Sequence, residues 1–288
     1  MKIKPVLLYI FFFMAVLLLF IFLLFPQKDA VGYISNFLDK HNSKLQFSCE
    51  RVKLKLPLKL SLENPKLLIN KQIEVEPETF EIKLNPALFF KRQKKIVFQS
   101  DLYQGTLNGV IDLKKFDPFL FSKADLFISK VKIDHLSYKT DLADIILACL
   151  INGEYKYSEI SEKKKGTGKL VLKNFSAKME NSLFNTLHMP VVDFSEVQIE
   201  FEQQSNIITV KQCIARGSVI NLKLKGKIDI VLPLNKVRLD LTGIMLQDSP
   251  YLAKFANISA VRAVAGNILK NGIKFNITGT LNNPKITI

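Results

Sequence analysis

The sequence predicts a mainly β fold: one N-terminal transmembrane helix, then a large, mostly antiparallel β domain with a few short helices. Three observations lead there. Residues Val6 to Phe25 read VLLYIFFFMAVLLLFIFLLF, twenty positions without a charge, a Gly or a Pro. Val52, Leu54, Leu56, Leu58, Leu60 and Leu62 alternate with Lys53, Lys55, Pro57, Lys59, Ser61 and Glu63, the period of a strand with one dry and one wet face. Strand-like runs, about a dozen in all, then follow at short intervals, and short connections join antiparallel neighbours.

At about 1.5 Å of rise per residue the apolar run spans roughly 30 Å, the hydrocarbon thickness of a bilayer. Pro5 and Pro26 bound it, as suits the two ends of a helix. The run exceeds the roughly 7–15 apolar residues of a signal peptide, and no small-residue cleavage pattern follows at Phe25-Pro26-Gln27. An uncleaved anchor is therefore expected. Lys2 and Lys4 precede it and set the N-terminus in the cytoplasm. The chain then divides into residues 1–27, a cytoplasmic tip with the anchor, and residues 28–288, a β-rich domain outside the cytoplasm.

Asp29 to Lys40 reads as a short helix, with Ala30, Ile34, Phe37 and Leu38 on one face and Asp29 as its cap. Within the alternating Val52–Glu63 stretch, Pro57 lacks a donor and marks an edge, a bulge or a bend between two strands. Strands are expected at 66–70 and 73–84, with Phe80, Ile82 and Leu84 sharing a face. A short piece at 87–90 follows. Residues 96–102 and 106–113 read as a hairpin around Gln104-Gly105. Strand patterns continue at 126–138, 167–175, 197–201, 207–211, 219–230, 237–242, 273–281 and 285–288. Residues 141–150 allow a helix. So do 181–188, before Pro190, and 249–271, where Phe255, Ile258, Val261, Ala265 and Ile268 recur at helical spacing.

The formal charge is +15, carried mostly by Lys along the whole chain. Such a balance fits an anionic membrane surface or acidic proteins, and equally a domain whose wet faces are simply Lys-rich. An anchored domain outside the cytoplasm is not expected to meet nucleic acid. Cys49, Cys149 and Cys213 permit at most one disulfide, and each sits among apolar residues, where a thiol behaves as a small hydrophobe. No His, Cys and carboxylate cluster has metal-ligand spacing, so neither metal nor cofactor is expected. Lys163-Lys164-Lys165-Gly166-Thr167-Gly168-Lys169 glances at a phosphate loop. It lacks the first Gly and the closing hydroxyl, and a strand pattern follows it, so a basic hairpin turn is expected. Asp134-His135 lies within a strand pattern that sends neighbouring side chains to opposite faces. No nucleophile elbow occurs. These residues predict no enzyme.

A family resemblance rests on phrases spread over nearly the whole chain. They are Val52-Lys53-Leu54-Lys55-Leu56-Pro57, Leu84-Asn85-Pro86-Ala87-Leu88-Phe89-Phe90-Lys91, Ile96-Val97-Phe98, Leu102-Tyr103-Gln104-Gly105-Thr106-Leu107-Asn108-Gly109, and Phe275-Asn276-Ile277-Thr278-Gly279-Thr280-Leu281-Asn282-Asn283-Pro284. In this order, after an anchor, they resemble the type II secretion system protein N family and the wider AsmA-like group of envelope proteins. The chain's short length suits the former. The resemblance implies a single-pass inner-membrane protein with a periplasmic β domain. It also implies a non-catalytic accessory of the secretion machine, with other secretion-system envelope proteins as partners. The AsmA-like side implies an open gutter whose inner face holds membrane phospholipid. On that alternative Leu54, Leu56, Leu58 and Leu60 face lipid near the membrane. A closed sandwich, the commoner arrangement of antiparallel sheets, would turn the same residues into core.

Overall fold

The structure is a computed structural model. It describes residues 9, 12, 13, 16, 19, 20, 22–41, 45–55, 58–69, 73–83, 94–114, 121–139, 144–160, 163–180, 191–218, 220–231, 236–246 and 272–287. Mainly β and antiparallel, it divides into two compact units, Met1–Arg92 with Ile96–Leu102, and Gln93–Lys95 with Tyr103–Ile288.

In the first unit Tyr9, Phe12, Phe13, Val16, Leu19, Phe20, Phe22 and Leu23 of the apolar run are helical, and Leu24 and Phe25 are not. Among the described residues no helix is long and apolar enough to cross a membrane. Helix α1, Gln27–His41, carries Asp29 in its first turn, where a carboxylate meets the positive end of the helix dipole. It packs on strands β1 (Leu45–Ser48) and β2 (Arg51–Lys55) through its apolar stripe. Ser35 Oγ donates to the Phe47 carbonyl at 3.1 Å and ties the helix to β1.

Strand β1 pairs with β4 (Lys66–Ile69), and β4 with β5 (Ile73–Val75), in a three-stranded sheet. Strand β2 pairs with β3 (Lys59–Glu63), β3 with β6 (Thr79–Lys83), and β6 with β7 (Lys94–Leu102). The alternating Val52–Glu63 stretch is thus two antiparallel strands. Leu58 lies in their connection with φ 69°. The expected strand 73–84 is likewise split, with β5 and β6 in different sheets. Register places Val52, Leu62, Phe80 and Ser100 in one row, and Leu54, Leu60, Ile82 and Phe98 in the next. This face holds the first unit's core: Val52 is fully buried, and the Phe80 and Phe98 rings stack at 5.4 Å. The other face is ionic. Lys53 meets Glu63 at 2.6 Å, and Glu81 receives Lys55 at 2.8 Å and Lys59 at 3.3 Å.

The second unit is an up-and-down meander. Its strands are β8 (Gly105–Leu113), β9 (Phe121–Lys139), β10 (Asp144–Ile160), β11 (Lys163–Glu180), β12 (Val192–Gln204), β13 (Ile207–Gly217), β14 (Asn221–Asp229), β15 (Arg238–Met245), β16 (Ile273–Thr280) and β17 (Pro284–Thr287). Each pairs antiparallel with the next in sequence. Register shifts interrupt the β9–β10, β10–β11, β12–β13 and β13–β14 ladders, and Lys130 and Asn174 take the left-handed conformation at two of them, φ 54° and 51°. Such bulges bend a strand and deepen the twist of its sheet.

Two expectations are corrected here. Residues 144–150, which allow a helix by pattern, are the first part of β10. They are hydrogen-bonded to β9 on one side and β11 on the other, and pairing on both edges outweighs local propensity. The basic run Lys163–Lys169 is not a turn but the start of β11. The helical patterns at 181–188 and 249–271 and the short piece at 87–90 fall outside the described residues.

Candidate functional site: an apolar sheet face with a charged rim

Register in the second unit stacks four apolar rows on one face of the meander. Beginning at the end where β10 passes into β11, the first runs Ile111, Ala124, Tyr157, Gly166, Gln203, Ile208, Ile228 and Leu239. The next runs Gly109, Leu126, Tyr155, Gly168, Phe201, Val210, Gly226, Leu241, Ile277 and Ile286, one residue from every strand. Two further rows hold Leu107, Ile128, Leu170, Ile199, Cys213, Leu224 and Phe275, then Val131, Ile151, Leu172, Val197, Ala215, Leu222, Met245 and Ile273. The opposite face is charged and self-paired, with Lys169–Glu200 at 2.8 Å, Lys211–Glu202 at 3.0 Å and Lys123–Asp125 at 2.8 Å.

Burial on the apolar face runs against side-chain size. The buried positions are mostly small: Ala124, Val131, Cys149, Val197, Val210, Cys213 and Ala215, with Phe194 the large exception. The Leu, Ile, Tyr and remaining Phe side chains of the four rows are half-buried, and Ile286 is exposed. The packed cluster of Phe194, Val197, Val210, Cys213 and Ala215 has its partners, such as Leu172, Ile199, Leu224 and Leu241, on this same face. Small residues are therefore covered by taller neighbours of their own sheet, and the tall ones keep partial exposure. Burial pushes the Cys149 and Cys213 thiols up, so both stay protonated and unreactive.

Glycine shapes the floor. A Cβ on Gly168 would lie 2.3 Å from the Phe201 ring, and one on Gly166 would lie 2.5 Å from Tyr155 Oη. Phe201 and Tyr155 thus lie flat over the two glycines and stack on each other at 6.1 Å. Beside them opens a concavity of about 520 Å³, floored by Ile111, Phe121, Ala124, Leu126, Tyr155 and Tyr157 and edged by Lys164, Gln203, Ser205 and Asn206. Its volume falls in the roughly 300–1,000 Å³ range of small-molecule sites.

The polar edge is held by a chain of hydrogen bonds. Tyr155 Oη donates to Gln203 Oε1 at 2.7 Å, Gln203 Nε2 donates to the Ser205 carbonyl at 2.9 Å, and the Ser205 amide donates to the Lys164 carbonyl at 3.3 Å. Burial raises the Tyr155 phenol further above neutrality, so it remains a donor. Glu159 faces Lys164 across the β10–β11 ladder. Lys114 binds Glu159 at 2.7 Å and, with smaller help from Lys164 and the Tyr157 hydroxyl, holds its carboxyl below the usual range.

The strand residues singled out from sequence lie in the first unit. Leu54 and Leu60 are Cα partners on one face, Leu58 sits in the connection between β2 and β3, and Leu56 lies outside the described residues. Leu54 also borders a concavity of about 400 Å³ with Phe22, Phe25 and Gln27. The second unit's rows were missed. Their signal is present in the alternation of Tyr155 and Tyr157, of Val197, Ile199 and Phe201, and of Leu222 and Leu224, but cross-strand register alone joins them into one surface.

No group of His, Cys, Asp and Glu among the described residues is arranged to hold a metal ion. His135 and Asp134 are exposed on β9, and Asp134 pairs with Lys132 at 3.0 Å. No family model, curated protein or solved structure matches the chain.

Proposed function

We propose that the protein is a single-pass, membrane-anchored envelope component without catalytic activity, whose β domain holds phospholipid acyl chains on its apolar sheet face. The observation that carries this reading is the inverted burial on that face. In a sandwich the large apolar side chains interdigitate with a second sheet and become the most buried. Here the small ones are buried and the large ones stand half-open. A contiguous apolar surface of that kind marks a binding site. The domain is then an open gutter. The anchor is supported by the helical, apolar and exposed Tyr9, Phe12, Phe13, Leu19, Phe20 and Leu23, each at 55 % or more. The N-terminus lies in the cytoplasm and the β domain in the periplasm of an inner-membrane protein.

Native mass spectrometry of the detergent-solubilised protein, paired with thermal melting, tests this. Wild type is expected to carry phospholipid. Ile111→Asp, on the first apolar row and lining the concavity, is expected to lose lipid while its melting temperature falls little, because the carboxylate reaches water. A collapsed melting temperature with no lipid on wild type would establish a closed core and retire the gutter.

A second reading, an accessory of a type II secretion apparatus, is favoured by the phrase Gly279-Thr280-Leu281-Asn282-Asn283-Pro284. It forms the tight β16–β17 connection: Gly279 has φ 98°, and the Asn283 amide donates to Thr280 Oγ1 at 3.1 Å. Such a turn supports a shared fold more than a shared task. Crosslinking in intact membranes, followed by identification of partners, decides it, and recovery of no secretion-system protein would count against it.

A further inference from the structure

We infer that the concavity at the β10–β11 end of the gutter is a head-group site selective for anionic phospholipid, with Lys164 as the counter-charge. The inference rests on the lipid-holding reading above and adds the polarity and charge of the ligand. The face is graded along its strands. Lys114, Glu159 and Lys164 form its outermost edge, Gln203 and the two tyrosine hydroxyls come next, and the third and fourth rows carry no polar side chain. An amphiphile lies on such a surface in one direction, head at the edge and chains inward.

The length agrees. Four rows are three intervals of two residues, roughly 20 Å at about 3.3 Å per residue. The acyl chains of one leaflet occupy about 15 Å, half a hydrocarbon core.

The charge follows from counting the described groups. Glu159 is matched by Lys114 at 2.7 Å, which leaves the positive charge of Lys164 in excess at the edge. The hydrogen-bond chain from Tyr155 through Gln203 and Ser205 to the Lys164 carbonyl fixes the backbone that carries this ammonium. The polar rim of Gln203, Ser205 and Asn206 beside Lys164 favours a polar head over a bare hydrocarbon end.

The test places a benzophenone side chain at Leu126, on the floor of the concavity, in the full-length protein. The protein is reconstituted in nanodiscs holding equal amounts of phosphatidylglycerol and phosphatidylcholine with identical acyl chains. Photocrosslinked lipid is then identified by mass spectrometry, so lipid merely bordering the anchor is not counted. One lysine near bound lipid predicts phosphatidylglycerol about fivefold over phosphatidylcholine. Lys164→Gln should remove that excess and Lys164→Arg should keep it. Equal crosslinking of the two lipids by wild type, or an unchanged preference in Lys164→Gln, overturns the charge selection and leaves the lipid-holding face standing. No lipid adduct from wild type, or an adduct with a polypeptide instead, overturns the lipid-holding reading itself.

Discussion

Single residues set the limits of this sheet where backbone meets backbone. Gly226 has φ 143°, a conformation open only to glycine, and a Cβ there would lie 2.2 Å from the Asp240 carbonyl oxygen. Gly226→Ala must therefore move β14 away from β15, and a loss of about 3 kcal/mol is expected in denaturant titration. Gly168→Ala meets the Phe201 ring first, which can tilt, so about 1 kcal/mol is expected. Equal losses would mean that the β14–β15 ladder yields as readily as a side chain. Glu81 sets a pH limit in the first unit. Hydrogen bonds from Lys55 first, and from Lys59, hold its carboxyl below the usual range. A depressed pKa adds stability above the unfolded value, and this is lost as pH falls through the folded one. The melting temperature should therefore drop on acidification below about pH 4.5. In Glu81→Gln that acid-dependent drop should shrink, while stability at neutral pH falls.

At the scale of elements, the β2–β3 hairpin illustrates how one alternating pattern serves two environments. Val52 and Leu62 pair in the buried row, whereas Leu54 and Leu60 pair one row on, with Leu54 beside the concavity at Phe22 and Phe25. Val52→Asp buries an unpaired carboxylate and should cost about 3 kcal/mol or more. Leu54→Asp, half-exposed, should cost less than half of that. Melting curves of the two variants check the ranking, and the reverse order would place the first unit's core on the wrong row. In the second unit the long strands β9 to β11 are held by their ladders and by Gly–aromatic contacts across strands. That combination leaves an aromatic floor while keeping the sheet close-packed at its small residues.

For the whole molecule, the decisive physical fact is a two-faced sheet with charge on one side and half-open apolar rows on the other. On the proposed reading, a bilayer anchor would bring such a face within reach of phospholipid, which is almost insoluble in water. The proposed anchor is checked by fractionation. The protein is expected to stay with membranes through alkaline carbonate and high-salt washes and to leave them only with detergent. Release by salt alone would reduce the attachment to the Lys-rich surface, whose pull on anionic lipid is screened within roughly 10 Å at 0.1 M salt.

Period-two hydrophobicity, short connections and scattered Gly and Pro are local properties, and local chemistry was enough for the sequence to determine the β class, helix α1 and most of the strands. Where two patterns compete locally, as at residues 144–150, only the tertiary structure decided, because hydrogen bonds to β9 and β11 reward the strand and the β11 partners, from Lys173 to Glu180, are distant in sequence. The same holds for the face. Leu126, Tyr155, Phe201, Val210 and Leu241 lie far apart along the chain and become one row only through register. Whether that row is core or open surface depends on what packs against it. Alternation records that one side is dry, and only the arrangement of strands in space records what keeps it so.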